Sequence, residues 1–183
     1  LLIIAPSFVS YFLRILAMKV ILGDQGVINS FAYWTGLRAQ DDPIPGLLYS
    51  QTAVIITLVF VFVPLVALPI FVSLENLDRR LLEAATDLGA SRFTAFRRVT
   101  LPLSLPGVMA GFVFVFVPTL GEYFTPVLVG GTTGYLFGNS IQDLYGASQD
   151  WQTGSVLSLF LLLAIAVVMA AFARFISLRS VAA

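Results

Sequence analysis

The stretch that decides the fold is EAATDLGASRFTAFRRVTLP, residues 83–102. It is a polar, arginine-rich island between two uncharged apolar runs, one ending at Leu74 and the other at Gly121. Apolar residues recur at helical spacing from just before this stretch into its first half, at Leu77, Leu81 and Leu88. A charged, helix-forming loop between two membrane-length runs is predicted to reach water and to contact another molecule there.

Local signals predict two short helices with a hinge in this stretch. Asn76 or Asp78 can cap the start of the first helix. Gly89 follows its last apolar position, where a left-handed C-cap favours glycine. Ser91 can cap the second helix, and Pro102 marks the entry to the next apolar run.

The composition indicates an integral membrane protein. Of the 183 residues, 58% are hydrophobic and 11% are charged, whereas a soluble domain averages about 25% charged residues. The chain has no cysteine and no histidine, which excludes disulfides, thiol chemistry and histidine-based catalysis or metal binding. It also has no GxxxxGK[ST] phosphate loop. We therefore predict no enzyme activity and no cofactor.

Hydropathy predicts a single all-α transmembrane domain over residues 1–183, with four spans at about 1–18, 50–74, 103–120 and 154–173. The first run is short for a span and the chain begins with Leu1, so we expect an N-terminal part to be missing. The apolar runs are about twice as long as a barrel strand, which favours helices. Gly107 and Gly111 have small-xxx-small spacing, which predicts close helix packing. A short surface helix is expected at about residues 27–36.

Arginine placement predicts the orientation in the membrane. Five arginines lie in the central loop: Arg79, Arg80, Arg92, Arg97 and Arg98. Arg174 and Arg179 follow the last span, whereas residues 121–153 contain no lysine or arginine. Because cytoplasmic segments carry the Lys/Arg excess, the central loop and the C-terminus are predicted to be cytoplasmic.

One pattern combines Glu83-Ala84-Ala85, Gly89, the aliphatic residue Val99 and Leu101-Pro102. It resembles the cytoplasmic loop of bacterial ABC-importer permeases, the binding-protein-dependent transport family. Val99 stands where isoleucine is commoner in that family. The resemblance implies that residues 75–102 form a coupling-helix loop that docks on a separate ATPase subunit. The residues implied in docking are Glu83, Ala84, Ala85, Gly89, Leu101 and Pro102. The alternative is an ordinary solvated loop in which Glu83 pairs with Arg79 or Arg80.

Three longer segments look like spermidine/putrescine permeases: LENLDRRLLEAATDLGAS, LGEYFTPVLVGG and GNSIQDLYGASQDW. The resemblance implies about six spans in the whole subunit, of which four are present. It also implies a second permease subunit, two cytoplasmic ATP-binding subunits and a periplasmic substrate-binding protein, in the bacterial inner membrane. The expected function is a translocation path for a polyamine. Alternatives are ferric iron, thiamine, an opine or a phosphonate on the same machinery, or a secondary transporter or channel subunit.

Carboxylates and aromatic rings in the outer segment suggest a path for a cation, because ammonium groups bind both. The candidates are Glu122 with Tyr123, Asp143, and Asp150 with Trp151. Glu122 is the foremost of these because it follows the end of a span. The alternative is that these acids are merely excluded from the cytoplasmic side, or contact the binding protein.

Overall fold

The computed structural model describes residues 9–39 and 42–180, with side chains described through Arg174. Within these ranges the chain is helical and contains no strand. The helices are α1 (Tyr11–Leu22), α2 (Val27–Trp34), α3 (Gln51–Glu75), α4 (Arg79–Asp87), α5 (Arg92–Ala95), α6 (Leu101–Leu120), α7 (Phe137–Tyr145) and α8 (Trp151–Ser180). Two π-helical turns, Phe96–Thr100 and Pro126–Gly130, complete the secondary structure. The all-α class is confirmed.

Among the residues that the structure describes, three stretches of helix are long and apolar enough to cross a membrane: Gln51–Glu75, Arg92–Leu120 and Trp151–Arg174. The predicted first span falls partly on residues 1–8, which lie outside the described residues. Its remaining part lies in α1, which continues to Leu22. The short surface helix predicted near residues 27–36 corresponds to α2, whose Trp34 is 83% exposed.

Helices α3 and α6 pack closely along much of their length. A Cβ placed on Gly107 would lie 2.5 Å from Ser73 Cβ and 2.6 Å from the Pro69 carbonyl oxygen. A Cβ on Gly111 would lie 3.2 Å from Val66 Cγ1. Only glycine allows the backbones to approach this closely, so the predicted small-residue contact is confirmed.

The second short helix differs from the prediction of a separate element. Helix α5 continues through the π-helical turn Phe96–Thr100 directly into α6, so one helical stretch runs from Arg92 to Leu120. Pro102 lies at the junction between the π-helical turn and α6, and its missing N–H leaves one helical hydrogen bond of the continuous stretch unformed. The π-helical turn that precedes it is closed by the Leu101 N–H, which donates to the Phe96 carbonyl.

The core joins α1, α3 and the second π-helical turn. Ile15, Leu22, Val54, Val61 and Val129 are buried there. By contrast, α8 has no buried side chain between residues 155 and 174. It is therefore a long apolar helix whose surface this chain hardly covers.

Candidate functional site

The central loop, here called the elbow (residues 75–102), is built by local capping. Asp78 Oδ1 accepts a hydrogen bond from the Arg80 N–H at 2.9 Å and caps α4. Ser91 Oγ accepts from the Thr94 N–H at 3.3 Å and caps α5. Both cap predictions are confirmed, with Asp78 rather than Asn76 as the first cap. Each cap satisfies N–H groups that a helix start leaves unpaired.

Gly89 ends α4 in a Schellman motif. The Gly89 N–H donates to the Thr86 carbonyl at 2.9 Å, and the Ala90 N–H donates to the Ala85 carbonyl at 3.0 Å. Gly89 has φ +81°, which is the left-handed conformation predicted for this position. The chain therefore turns sharply between α4 and α5, and the turn requires a residue that accepts positive φ.

The elbow exposes large apolar side chains. Leu88 is 88% exposed, Phe93 72% and Phe96 50%. Helix α4 has no buried residue at all. Isolated exposed apolar residues are ordinary, but here three large apolar side chains are exposed within nine residues of a polar loop.

Glu83 is exposed, and in the described part of the chain its carboxylate forms no ion pair with Arg79 or Arg80. Arg38 and Asp42, by contrast, form an ion pair at 2.8 Å. The only hydrogen bond at Glu83 involving a side chain is the one its backbone carbonyl accepts from Thr86 Oγ1 at 2.7 Å. The alternative in which Glu83 pairs within its own helix is thus not what the structure contains.

The remaining elbow residues fall into two groups. Ala85, Gly89 and Val99 line a cavity of about 380 Å³ between α4 and α5, so three positions of the motif meet there. Ala84 is exposed on α4 beside Glu83. Leu101 and Pro102 are exposed at the start of α6, in the continuous helical stretch, and do not line this cavity.

Glu122, the foremost outer candidate, is only 8% exposed. Its Oε1 accepts a hydrogen bond from the Thr125 N–H at 2.8 Å, and its Oε2 accepts one from the Tyr11 hydroxyl. The Tyr11 hydroxyl also lies 3.1 Å from Thr125 Oγ1. The carboxylate therefore holds the segment after α6 against α1.

Glu122 also lines a cavity of about 420 Å³, here called the carboxylate cavity. Its lining residues are Ser10, Tyr11, Phe12, Gly121, Glu122, Tyr123 and Phe124. The aromatic rings contact one another edge to face. The ring centroids of Phe12 and Phe124 lie 5.3 Å apart, and those of Tyr123 and Phe124 lie 5.9 Å apart. A buried carboxylate is thus surrounded by four aromatic rings, with no lysine or arginine in the lining.

The other two acidic candidates are held by local hydrogen bonds. Asp143 accepts one from the Tyr135 hydroxyl. Asp150 accepts from Thr153 Oγ1 at 2.6 Å and from the Thr153 N–H at 3.1 Å, which caps α8. These bonds from Thr153 hold the pKa of Asp150 below its usual range. Both carboxylates stabilise the outer segment itself.

Trp151 is 66% exposed and meets the Tyr145 ring edge to face, with centroids 5.6 Å apart. The Tyr145 hydroxyl donates to Ser155 Oγ at 3.4 Å and lies 3.4 Å from Ser158 Oγ. A Cβ on Gly154 would lie 3.1 Å from the Tyr145 ring, so glycine lets α7 approach α8.

A second outer cavity, of about 540 Å³, lies between α7, α8 and the end of α6 and is here called the tyrosine cavity. Its lining residues are Gly121, Tyr123, Gly138, Ile141, Gln142, Tyr145, Gly146, Ser158 and Leu161. The sequence analysis missed Gln142 and Ser158, because only the packing of α7 on α8 brings them together. No group of three or more Asp or Glu residues in the described part of the chain could hold a metal ion.

Comparison with known proteins gives the family. A family described as "Binding-protein-dependent transport system inner membrane component" matches residues 1–181. The spermidine/putrescine transport system permease protein PotB of Escherichia coli (strain K12) is 38% identical over 160 residues, which cover 87% of this chain and 57% of that protein. PotB of Haemophilus influenzae is 38% identical over 173 residues, covering 94% and 59%. The chain therefore spans well under two thirds of these relatives.

A further relative and a solved structure also match the chain. The molybdenum transport system permease protein ModB of Haemophilus influenzae is 38% identical over 123 residues, which cover 67% of this chain and 48% of that protein. A solved structure of a bacterial ABC transporter that imports the acidic polysaccharide alginate matches with TM-score 0.76 at 20% identity, covering 97% of this chain and 63% of that chain. At this identity the match shows the fold. The predicted family is thereby confirmed, and the chain belongs to the binding-protein-dependent transport system inner membrane components.

Proposed function

We propose that this chain is a permease subunit of an ATP-driven importer and forms part of the translocation path for a polyamine such as putrescine or spermidine. The observation that carries the importer role is the elbow, which presents Leu88 and Phe93 to solvent beside an unpaired Glu83. A surface of this kind, on a loop between two membrane helices, suits a soluble partner that pushes on the helices.

In this proposal the elbow docks on a cytoplasmic ATPase subunit. Glu83 is the polar anchor, Ala84 and Ala85 permit close approach, and Gly89 makes the turn between α4 and α5. Leu101 and Pro102 belong to the continuous helical stretch Arg92–Leu120. Because no loop interrupts that stretch, a displacement of the elbow is carried to the membrane helix as a nearly rigid movement.

The assembly that this role requires contains a second permease subunit, two ATP-binding subunits on the cytoplasmic side and a periplasmic binding protein that delivers the solute. ATP hydrolysis belongs to the ATP-binding subunits. The uncovered surface of α8 supports contact with lipid or with a membrane partner, since its apolar residues are exposed in this chain alone. We place the elbow and the C-terminus in the cytoplasm, and residues 121–153 in the periplasm, of a multi-pass inner-membrane protein.

The solute assignment depends on the outer cavities. Relatives named for spermidine/putrescine transport and one named for molybdenum transport are each 38% identical to this chain over their aligned residues. Sequence identity alone therefore does not decide which solute is transported. The carboxylate cavity holds Glu122 and the Tyr123 ring, and neither outer cavity has a lysine or arginine in its lining. Such walls favour a cation over an anion. Asp143, Asp150 and Trp151 add negative charge and an aromatic face to the same side.

The importer role can be tested by single-cysteine chemistry, because the chain contains no cysteine. We expect Leu88→Cys to resist a membrane-impermeant maleimide in intact cells and to cross-link to the ATP-binding subunit in membranes. Ser148→Cys, in the outer segment, should be labelled in intact cells. Labelling of Leu88→Cys from outside, or no cross-link to the ATP-binding subunit from any exposed elbow position, would refute the proposal.

The solute is tested with the complete transporter reconstituted in vesicles. We expect ATP-dependent uptake of labelled 1,4-diaminobutane that excess spermidine inhibits. Uptake of molybdate with no uptake of either polyamine would overturn the polyamine assignment and leave the importer role standing.

A further inference from the structure

We infer that the carboxylate cavity and the tyrosine cavity form one bipartite site for a linear diamine, with one ammonium group in each cavity and the alkyl chain across Tyr123. This inference rests on the proposed function, since it presumes a cationic solute. It adds a second binding position, formed by Gln142, Tyr145 and Ser158, and a basis for selecting diamines over monoamines.

The two cavities share a wall. Gly121 and Tyr123 line both of them. The Tyr123 side chain is 42% exposed, so its ring forms a ridge that a ligand must cross to occupy both cavities. A molecule with two polar ends and an apolar middle matches this arrangement, because an alkyl chain packs against an aromatic face and the charged ends lie beyond it.

The carboxylate cavity can accept an ammonium group although Glu122 is already bonded. Each of its oxygens accepts one hydrogen bond, from Thr125 and from Tyr11. An ionised carboxylate has about four lone-pair sites, so acceptor capacity remains. Among the described residues Glu122 forms no ion pair with a lysine or arginine, and an ammonium ligand would supply a cation.

The tyrosine cavity offers neutral acceptors instead of a carboxylate. Gln142, Tyr145 and Ser158 line it. Their side chains carry an amide oxygen and two hydroxyls that can accept hydrogen bonds, and an ammonium group has three donors. The aromatic face of Tyr145 adds a cation–π contact. Without a formal charge this cavity binds a cation more weakly than the carboxylate cavity does. A monoamine therefore occupies the carboxylate cavity, and the tyrosine cavity contributes only when the ligand has a second ammonium group.

The test is equilibrium binding to the complete transporter. The binding protein is left out of the reconstitution so that the selectivity of the binding protein does not contribute to the measured Kd. The probes are labelled 1,4-diaminobutane and, by competition, butylamine. We expect Tyr145→Leu to raise the Kd for 1,4-diaminobutane about two- to fivefold, the range of one exposed cation–π contact. Gln142→Leu removes one hydrogen-bond acceptor and should raise it about two- to tenfold. Both variants should leave the Kd for butylamine unchanged. Glu122→Gln should weaken both ligands.

Tyr135→Leu is the matched control, because Tyr135 is an exposed tyrosine of the same segment, 51% exposed, that lines neither cavity. In this variant the ratio of the Kd values for 1,4-diaminobutane and butylamine should equal the wild-type ratio. Equal losses for both ligands in the Tyr145 and Gln142 variants, or no loss, would overturn the bipartite site. No binding of 1,4-diaminobutane to the wild type would instead contradict the proposed solute.

A lipid amine is the other possible source of an ammonium group at this depth. The measurements are therefore repeated in vesicles of phosphatidylglycerol alone and in vesicles that also contain phosphatidylethanolamine. A Tyr145→Leu effect of the same size in both supports a diamine site. An effect seen only with phosphatidylethanolamine would assign the tyrosine cavity to the lipid headgroup and overturn the inference.

Discussion

Replacement of Gly89 tests whether the geometry of the elbow controls coupling to an ATPase. Gly89 has φ +81°, and a Cβ built on it meets no heavy atom within 4 Å. A side chain there is sterically free, so the effect of a substitution comes from the backbone conformation alone. We consider the series Gly89→Asn, Gly89→Ala and Gly89→Val.

The expected size follows from the left-handed conformation. An L-residue there costs roughly 1–2 kcal/mol, less for asparagine, which bonds its own backbone, and most for β-branched valine. Helix α4 has no buried side chain, so no packing within the chain offsets this cost. A cost of 1–2 kcal/mol changes the ratio of native to altered elbow conformations about five- to thirtyfold.

The assay is ATP hydrolysis stimulated by solute-loaded binding protein, together with uptake, in the reconstituted transporter. We expect Gly89→Asn to stay near wild type, Gly89→Ala to lose part of its coupling and Gly89→Val to lose most of it. The thermal stability of the membrane helices should be the same in all four proteins, because α4 buries nothing in this chain. A Gly89→Val transporter that assembles normally and couples like wild type would refute the reasoning.

Four further substitutions test the packing and capping. Gly107→Ala should lower the stability measured by thermal unfolding in detergent by roughly 1–3 kcal/mol, since its Cβ would lie 2.6 Å from a backbone carbonyl of α3. Gly111→Ala, whose Cβ would lie 3.2 Å from Val66 Cγ1, should cost less in the same measurement. Tyr11→Phe removes a donor from the buried Glu122 and should cost roughly 1–3 kcal/mol, with a smaller effect when Glu122→Gln is already present. Asp150→Ala should lower Tm at pH 7. Because cap hydrogen bonds lower the pKa of Asp150, its contribution is present above about pH 4 and is lost as pH falls further, so the two Tm values should converge in acid.

The sequence was most informative where structure depends on near neighbours. The caps at Asp78 and Ser91 and the left-handed Gly89 each involve hydrogen bonds within a few residues, so residue type and spacing were sufficient. The pair Gly107 and Gly111 could be recognised for a similar reason, because a glycine every four residues creates a smooth helix face whatever packs on it.

The outer site could not be predicted in the same way, because its contacts are distant in sequence. Glu122 was recognised only by its place after the end of a span, whereas Tyr11, 111 residues away, donates to it and helps to bury it. The tyrosine cavity needs Tyr123, Tyr145 and Ser158 from three different elements. The cap at Asp150 was a missed local signal, since Asp-x-x-Thr directly before an apolar run is a common helix start.

The continuous stretch from Arg92 to Leu120 connects the two proposed sites. Its 29 residues span about 43 Å at 1.5 Å per residue, more than the roughly 30 Å of a bilayer core. Gly121 and Tyr123, which separate the two outer cavities, follow directly after its last residue. If an ATPase displaces the elbow, this helix moves the Tyr123 ridge relative to α7 and α8, and the distance between the two ammonium positions changes. A diamine that fits before the movement then no longer fits after it, so the same ridge that selects the ligand would also release it.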